Sequence, residues 1–469
     1  MRQQVIFAAL CLSLSPAGMI NAHAKSYVPD VTLSPSWNDD SIFHSSNSTD
    51  NSGWWKRFGD SVLDTLIARG ERANYDATTA MRRIDIARAE LLGARSGYYP
   101  QIGISAGWER ERTSGRIASR SGNAVTTDYF NASASVSWEI DLFGKVRAKA
   151  REAKANVNLS AAEYAGTMIA LDAQIATTYI NLQVQRLQLA VSREHAESQW
   201  HIVDIAETRH RTGLASKLDV AQARTLYYST ISSIPVLESD IEASYNALAV
   251  LLGTTVENLP SELTASSDLP SAENPLIYMG TPSDLLRRRP DIVAAEKSID
   301  VAAAALGIAK SEYLPSLAIT ASAGTMAHNI GDLFSGPSYG YSIMPTLSWT
   351  AFDGFARKAA TAEAALELQN AVDSYNLTVI TAIEEVRNGV SAYKADMEYI
   401  SRIEQVVENS RESVVLSLDQ YKQGLCVFTN VVDAQLNYLT YQNTLVAARG
   451  EALNSLVTLY KALGGGWYE

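Results

Sequence analysis

The sequence predicts an α+β membrane protein built by internal duplication, with long helical hairpins carrying strands that several chains must close together. Three observations predict it. Short motifs recur at a spacing of 211 residues. Two stretches alternate apolar and polar residues with period two, and proline-free helical stretches follow each of them.

Gly213-Leu214 precedes Gly424-Leu425 by 211 residues, and Asp219-Val220 precedes Asn430-Val431 by the same step. Ser137-Trp138 and Ser348-Trp349, and Leu252-Gly253 and Leu463-Gly464, keep that spacing. A repeated unit of this kind is incomplete alone. The 469 residues are therefore read as two similar halves of one elongated body: 54–253, a Pro/Ser/Glu-rich connecting segment 254–282, and 283–469.

At the N-terminus, Met-Arg-Gln-Gln, an apolar run from Val5 to Leu14 and Ala22-His23-Ala24 make residues 1–24 a signal peptide. Cys11 follows Leu10 rather than a small residue, so no lipid anchor is expected. Cleavage leaves Cys426 as the one cysteine, so the exported chain must rely on packing or assembly instead of disulfides. The formal charge of −12 becomes −13 on losing Arg2, a balance that disfavours nucleic acid as a partner. Residues 25–53 read as an extended polar arm.

From Asp60 to Ser96 the chain is helix-compatible, with Leu63, Leu66, Ile67, Ala80, Ile84, Ala87 and Leu91 at helical spacing, and Tyr99-Pro100 ends it. Then Ile102, Ile104, Ala106 and Trp108 alternate with Gln101, Gly103, Ser105 and Gly107. Beyond a charged loop, Phe130, Ala132, Ala134, Val136, Trp138 and Ile140 alternate with polar residues. Arg110, Arg112, Arg116 and Arg120 are placed in that solvated loop. The second half repeats the hairpin with Leu317, Ile319, Ala321 and Ala323, then Tyr341, Ile343, Leu347 and Trp349.

One face of these strands is apolar and the other is Ser, Thr, Gly, Asn and Gln, as where one side meets lipid and the other water. A soluble sandwich would show the same alternation. Nothing in the mature chain approaches about eighteen consecutive apolar residues, so membrane contact must use strands. Four strands leave open edges that hydrocarbon cannot satisfy, and about three chains would supply a closed barrel.

Helices are expected from about Val146 to Arg211 and from about Arg357 to Gln423, rods approaching about 100 Å. In the second, Val379, Ile383, Val386, Val390, Tyr393, Met397, Ile400 and Ile403 form a seam, whereas Arg186 interrupts the first opposite Met397. Gly213 and Gly424 sit where each rod must reverse, a position that tolerates positive φ only without a Cβ. The chain then returns as a second helix in each half.

Catalytic readings find little support. His195, His201 and His210 are spaced by six and nine residues, not the i, i+4 that brings imidazoles to one metal. No phosphate loop, nucleophile elbow or paired-cysteine site is present. No enzyme activity, metal or cofactor is expected.

Several motifs together resemble the trimeric TolC-like outer membrane factors, in the branch serving resistance-nodulation-division pumps. They are Trp54-Trp55 with Phe58, Asp60, Leu63 and Leu66; Tyr99-Pro100; Ser137-Trp138 through Asp141-Leu142-Phe143-Gly144; Pro282-Ser283-Asp284-Leu285-Leu286; Arg288-Arg289-Pro290-Asp291-Ile292; and both tips. The resemblance spans nearly the whole mature chain.

It implies a homotrimer with a twelve-stranded outer-membrane barrel, four strands from each chain, continued by a helical coiled-coil barrel across the periplasm. It implies a passive exit duct for drugs or other small toxic compounds in a tripartite efflux pump. Its partners would be a periplasmic adaptor, an inner-membrane pump and outer-membrane lipid. Carried to this chain, the family's acidic gate falls on Asn430 and Asp433, of which only Asp433 keeps the charge. The family's entrance latch falls on Tyr421 and Asp219, with Cys426 where some members carry arginine, so a latch without arginine is expected. Adaptor contact falls on the tips, at Gly213, Leu214, Ala215, Ser216, Gly424, Leu425 and Val427. Two alternatives stand beside this reading: an exit channel for type I protein secretion, and a soluble periplasmic coiled-coil scaffold.

Overall fold

The computed structural model describes residues 33, 34, 37, 53–114, 116, 124–265, 269, 270 and 281–465. The signal peptide, nearly all of the extended arm, Arg120 and residues 271–280 of the connecting segment lie outside the described residues.

The first helical stretch is two helices, α1 (Ser61–Ala73) and α2 (Tyr75–Ser96), where the sequence suggested one. Asn74 divides them. Its carboxamide oxygen accepts from the backbone N–H groups of Asp76 and Ala77 at 2.8 and 2.9 Å, capping α2, and its Nδ2 donates to the Leu251 carbonyl at 2.9 Å. A short polar side chain that satisfies backbone groups in this way competes with helix continuation.

Four strands follow the expected alternation: β1 (Gln101–Thr113), β2 (Val125–Ile140), β3 (Ser316–Ala327) and β4 (Tyr339–Ser348). They form one antiparallel sheet in sequence order, so β2 and β3 join the two halves. Ile102, Val136, Ala321 and Ile343 make one apolar rank across it, and Gly103, Ser135, Ser322 and Ser342 make the neighbouring polar rank. Ser322 and Ser342 share a hydroxyl hydrogen bond of 2.9 Å. The charged run is not a loop: β1 continues through Glu109-Arg110-Glu111-Arg112, and Arg110 lies opposite Asp128 with 3.7 Å between their charged groups. Cross-strand pairing carries the strand past the apolar band.

The rods match their expected bounds within a residue. These are α3 (Lys145–Arg211), which returns as α4 (Lys217–Leu251), and α6 (Ala356–Gln423), which returns as α7 (Phe428–Ala462). Between them α5 (Pro290–Ser311) restarts the second half. The rod helices start at the 211-residue offset in both halves, and contacts within the hairpins keep it too. The Ser244 hydroxyl donates to Gln185 at 2.7 Å, and Ser455 donates to Asp396 at 2.6 Å. One duplicated ion pair has exchanged its charges: Arg193 meets Glu238 at 2.7 Å, whereas Glu404 meets Arg449 at 2.8 Å. Exchange of this kind favours each hairpin's own partner, because pairing α3 with α7 there would oppose two arginines.

No described helix is long and apolar enough to cross a membrane. Helix α3 is the spine, packing on α1, α2, α4, α5 and α7. The main core surrounds Trp54, which stacks on Tyr460 at 5.4 Å between ring centres. Asp60 caps α1 with one carboxylate oxygen and accepts the Tyr179 hydroxyl with the other at 2.7 Å. The start of the first half is thereby fastened to the middle of α3 and to the end of α7. The seam of α6 is buried from Tyr375 to Tyr393 but opens at Met397, which is 46% exposed. Arg186, which interrupts the first seam, donates to the Leu263 carbonyl at 3.0 Å and ties α3 to the connecting segment.

A second, smaller core of Ile202, Val203, Ala206, Ala223, Tyr421, Phe428 and Val431 lies at the hairpin tips. Between the two cores the packing turns polar, with Ser192, His195, Gln199 and Gln435 all buried. His195 bonds to Gln442, and burial holds its imidazole below the ordinary range, so it stays neutral there.

Two predictions follow from this packing. Gly253 and Gly464, duplicates at φ 62 and 93, press their α-carbons against the Ala73 and Arg288 carbonyls, where a Cβ would collide. Gly253→Ala and Gly464→Ala each carry that collision in addition to a left-handed penalty of about 1–2 kcal/mol. Gly213→Ala carries only the penalty, since nothing lies within 4 Å of its added Cβ. Thermal midpoints should fall further for the first two variants than for the third.

The second concerns Asp172, buried on α3 with one oxygen lacking a hydrogen-bond partner. Burial, with the nearby Glu71 carboxyl adding, pushes its carboxyl up to about 8. The folded state therefore holds this proton more tightly than the unfolded chain, so its contribution to stability is full below the ordinary carboxylate range and is lost as pH rises through about 8. Asp172→Asn should flatten that decline in a pH series of unfolding midpoints.

Candidate functional site

Each long hairpin reverses through the same backbone device. At the first tip Leu214 N–H reaches the Arg209 carbonyl at 2.8 Å and Gly213 N–H reaches His210 at 3.0 Å. At the second, Leu425 N–H reaches Gln420 at 2.8 Å and Gly424 N–H reaches Tyr421 at 3.0 Å. Both glycines have φ 74. This pairing satisfies the last carbonyls of a helix and requires a left-handed residue at the turn.

The next helix begins differently at the two tips. Ser216 caps α4, accepting from Asp219 N–H at 3.2 Å, whereas Val427 stands at the duplicate position and has no capping side chain. Leu214, Leu425 and Val427 are each about two-thirds exposed, with Gly213, Ser216 and Gly424 exposed beside them and Ala215 half-buried. Apolar side chains at an apex, without a covering element in the protomer, make a surface suited to packing on another protein.

Behind the turns the two hairpins are joined. The Tyr421 ring, 4% exposed, lies in the tip core edge-on to Phe428 at 5.0 Å, and its hydroxyl donates to Asp219 Oδ2 at 3.0 Å. Burial, and then the Asp219 carboxylate, push the phenol up to about 12, so it remains a donor at physiological pH. Arg209 completes the group: its guanidinium carbon lies 4.9 Å from the Tyr421 ring centre and its Nη1 donates to the Lys422 carbonyl at 2.6 Å.

The structure thus brings Tyr421 and Asp219 together, and places Asn430 and Asp433 apart from them, exposed on the opening turns of α7. Cys426 turns back toward α6, its thiol 3.4 Å from the Ser417 carbonyl, and takes no part in the junction. The expectation of a junction without arginine is corrected, because Arg209 supplies one from the first half. Hairpin symmetry was the available signal: Arg209 and Asp219 are equidistant in sequence from Leu214.

Residues 69–254 and 281–465 each match the family described as Outer membrane efflux protein. The chain belongs to the outer membrane efflux protein family. It is 29% identical over 445 residues to the probable efflux pump outer membrane protein TtgC of Pseudomonas putida, covering 94% of this chain and 91% of the relative. The solved outer-membrane channel OprN superposes with a TM-score of 0.85 at 27% identity, covering 94% of this chain and 99% of that one. The CmeC channel of Campylobacter jejuni reaches a TM-score of 0.86 at 22% identity over 94% of each chain, a likeness of fold alone.

This outer membrane efflux protein is accordingly a TolC-like channel subunit of the outer membrane that extends into the periplasm. Three chains with four strands each give the twelve strands of the shared barrel. Members of the family are channels rather than enzymes and work as trimers with an adaptor and an inner-membrane pump. Membership sets aside the soluble scaffold.

Proposed function

We propose that this channel is the passive exit duct of a pump of the resistance-nodulation-division type, gated at its hairpin tips. Residues 54–253 and 283–469 are its two repeats and 254–282 the segment joining them. The apolar ranks of the sheet meet outer-membrane lipid, and the Ser/Gly ranks line the water-filled side. Such a lining has little with which to select a ligand, which suits a duct for drugs or other small toxic compounds whose selection lies with the pump.

The observation that carries the gate is the Tyr421 to Asp219 hydrogen bond of 3.0 Å, which ties the end of α6 in one hairpin to the start of α4 in the other. Separating the tips must break it. Three copies of Asp433 around the trimer axis place like charges near one another, attracting cations to the entrance, and Asn430 leaves that ring single. The exposed tips Gly213 to Ser216 and Gly424, Leu425 and Val427 are the surfaces offered to the adaptor.

Tyr421→Phe tests the gate in planar bilayers. Loss of a hydrogen bond to a charged group shifts an equilibrium by roughly tenfold or more, so resting conductance should rise while the trimer persists. Unchanged conductance would remove Tyr421 from the gate. The tips are tested separately by replacing Gly213 and Gly424 with valine, which should abolish co-purification with the adaptor before trimer assembly is affected; equal loss of both rejects the adaptor assignment.

A further inference from the structure

We infer that Arg209 positions the gate, holding the end of α6 against the end of α3 so that Tyr421 remains in reach of Asp219. The inference rests on the reading of the tips as a gate and names the residue on which its closed form depends.

Three contacts support it. The Lys422 carbonyl belongs to the last turn of α6, where a helix leaves its carbonyls without intrahelical partners and its dipole is negative. Arg209 Nη1 donates to that carbonyl at 2.6 Å from the last turn of α3. The guanidinium also lies 4.9 Å from the centre of the Tyr421 ring, an arrangement in which the ring face attracts the cation. One planar group therefore fixes both the backbone and the side chain of the residue pair Tyr421-Lys422. Tyr421 in turn reaches α4 through Asp219. Three helices are joined through one small cluster, in an order in which the arginine sets the tyrosine and the tyrosine sets the carboxylate contact.

The duplication shows why this happens once per chain. The residues 211 positions from Arg209, Tyr421 and Asp219 are Gln420, His210 and Asn430, none of which preserves the charge or the phenol. His210 instead turns to its own tip, where its Nδ1 donates to the Ala215 carbonyl at 2.9 Å. A trimer carries three such clusters, all of one kind, and opening any one of them separates α6 from α3.

The test uses full-length trimers, verified by native mass measurement, with resting conductance read in planar bilayers for Arg209→Ala, Arg209→Lys, Tyr421→Phe and the Arg209→Ala/Tyr421→Phe pair. Arg209→Ala removes a charged donor and should raise resting conductance roughly tenfold. Arg209→Lys keeps the charge and one donor but loses the planar face, and should fall between that variant and the parent. The double variant should leak no more than the leakier single variant, because both changes break one chain of contacts. If Tyr421→Phe leaks and both Arg209 variants conduct like the parent, the inference fails while the gate stands. If neither Tyr421→Phe nor Arg209→Ala leaks, the gate reading itself fails. Independent, multiplicative increases in the double variant also overturn the inference. Should Arg209→Ala yield no trimers, Arg209→Lys decides alone, and parental conductance in it is the overturning result.

Discussion

A sheet edge cannot stand unpaired in hydrocarbon, and the rest of this architecture follows from that constraint. Each chain contributes a four-stranded sheet whose outer members, β1 and β4, present unmatched N–H and C=O groups on one side. Pairing β4 of one subunit with β1 of the next removes every edge, so the trimer is part of the fold. The same symmetry then brings the rods side by side. Apolar residues such as Leu366, Leu377 and Leu416 on α6, each more than half exposed in the protomer, belong to a body whose lateral surfaces meet other rods.

Within a chain the duplication does the structural work wherever its copies agree. The hairpins share their helix starts, their tip turns and their serine contacts at one offset. Where copies have diverged without loss, as in the exchanged Arg193–Glu238 and Glu404–Arg449 pairs, the change distinguishes one hairpin from the other. The main core then clamps both halves through Trp54, Tyr460, Asp60 and Tyr179.

The junction proposed as the gate lies where the copies disagree. Arginine, tyrosine and aspartate gather at one junction, and the duplicate positions carry glutamine, histidine and asparagine. The tip core that holds this junction is separated from the main core by a buried polar layer around His195, Gln199 and Gln435. Polar layers add little apolar burial, so the tips are coupled to the body mainly through the continuity of the helices. That division suits the proposed gate, whose opening would leave the equatorial packing in place.

The sequence by itself determined the periodic features: the 211-residue repeat, the strand alternation and the two rods, whose bounds the structure matches within a residue. Such features are local, since period two or helical spacing is written in neighbouring residues. It also placed Tyr421 and Asp219 as partners through resemblance. Only the tertiary structure decided the break at Asn74, whose side chain reaches a carbonyl 177 residues away, and the extension of β1 through a charged run that pairs with β2. It likewise decided that the arginine at the junction is Arg209, 213 residues from the carbonyl it holds. At Asn74 and Arg209 the deciding contact lies between segments far apart in the chain, and at the end of β1 it lies across the hairpin; in none of them does residue order record which groups meet until the helices and strands are packed.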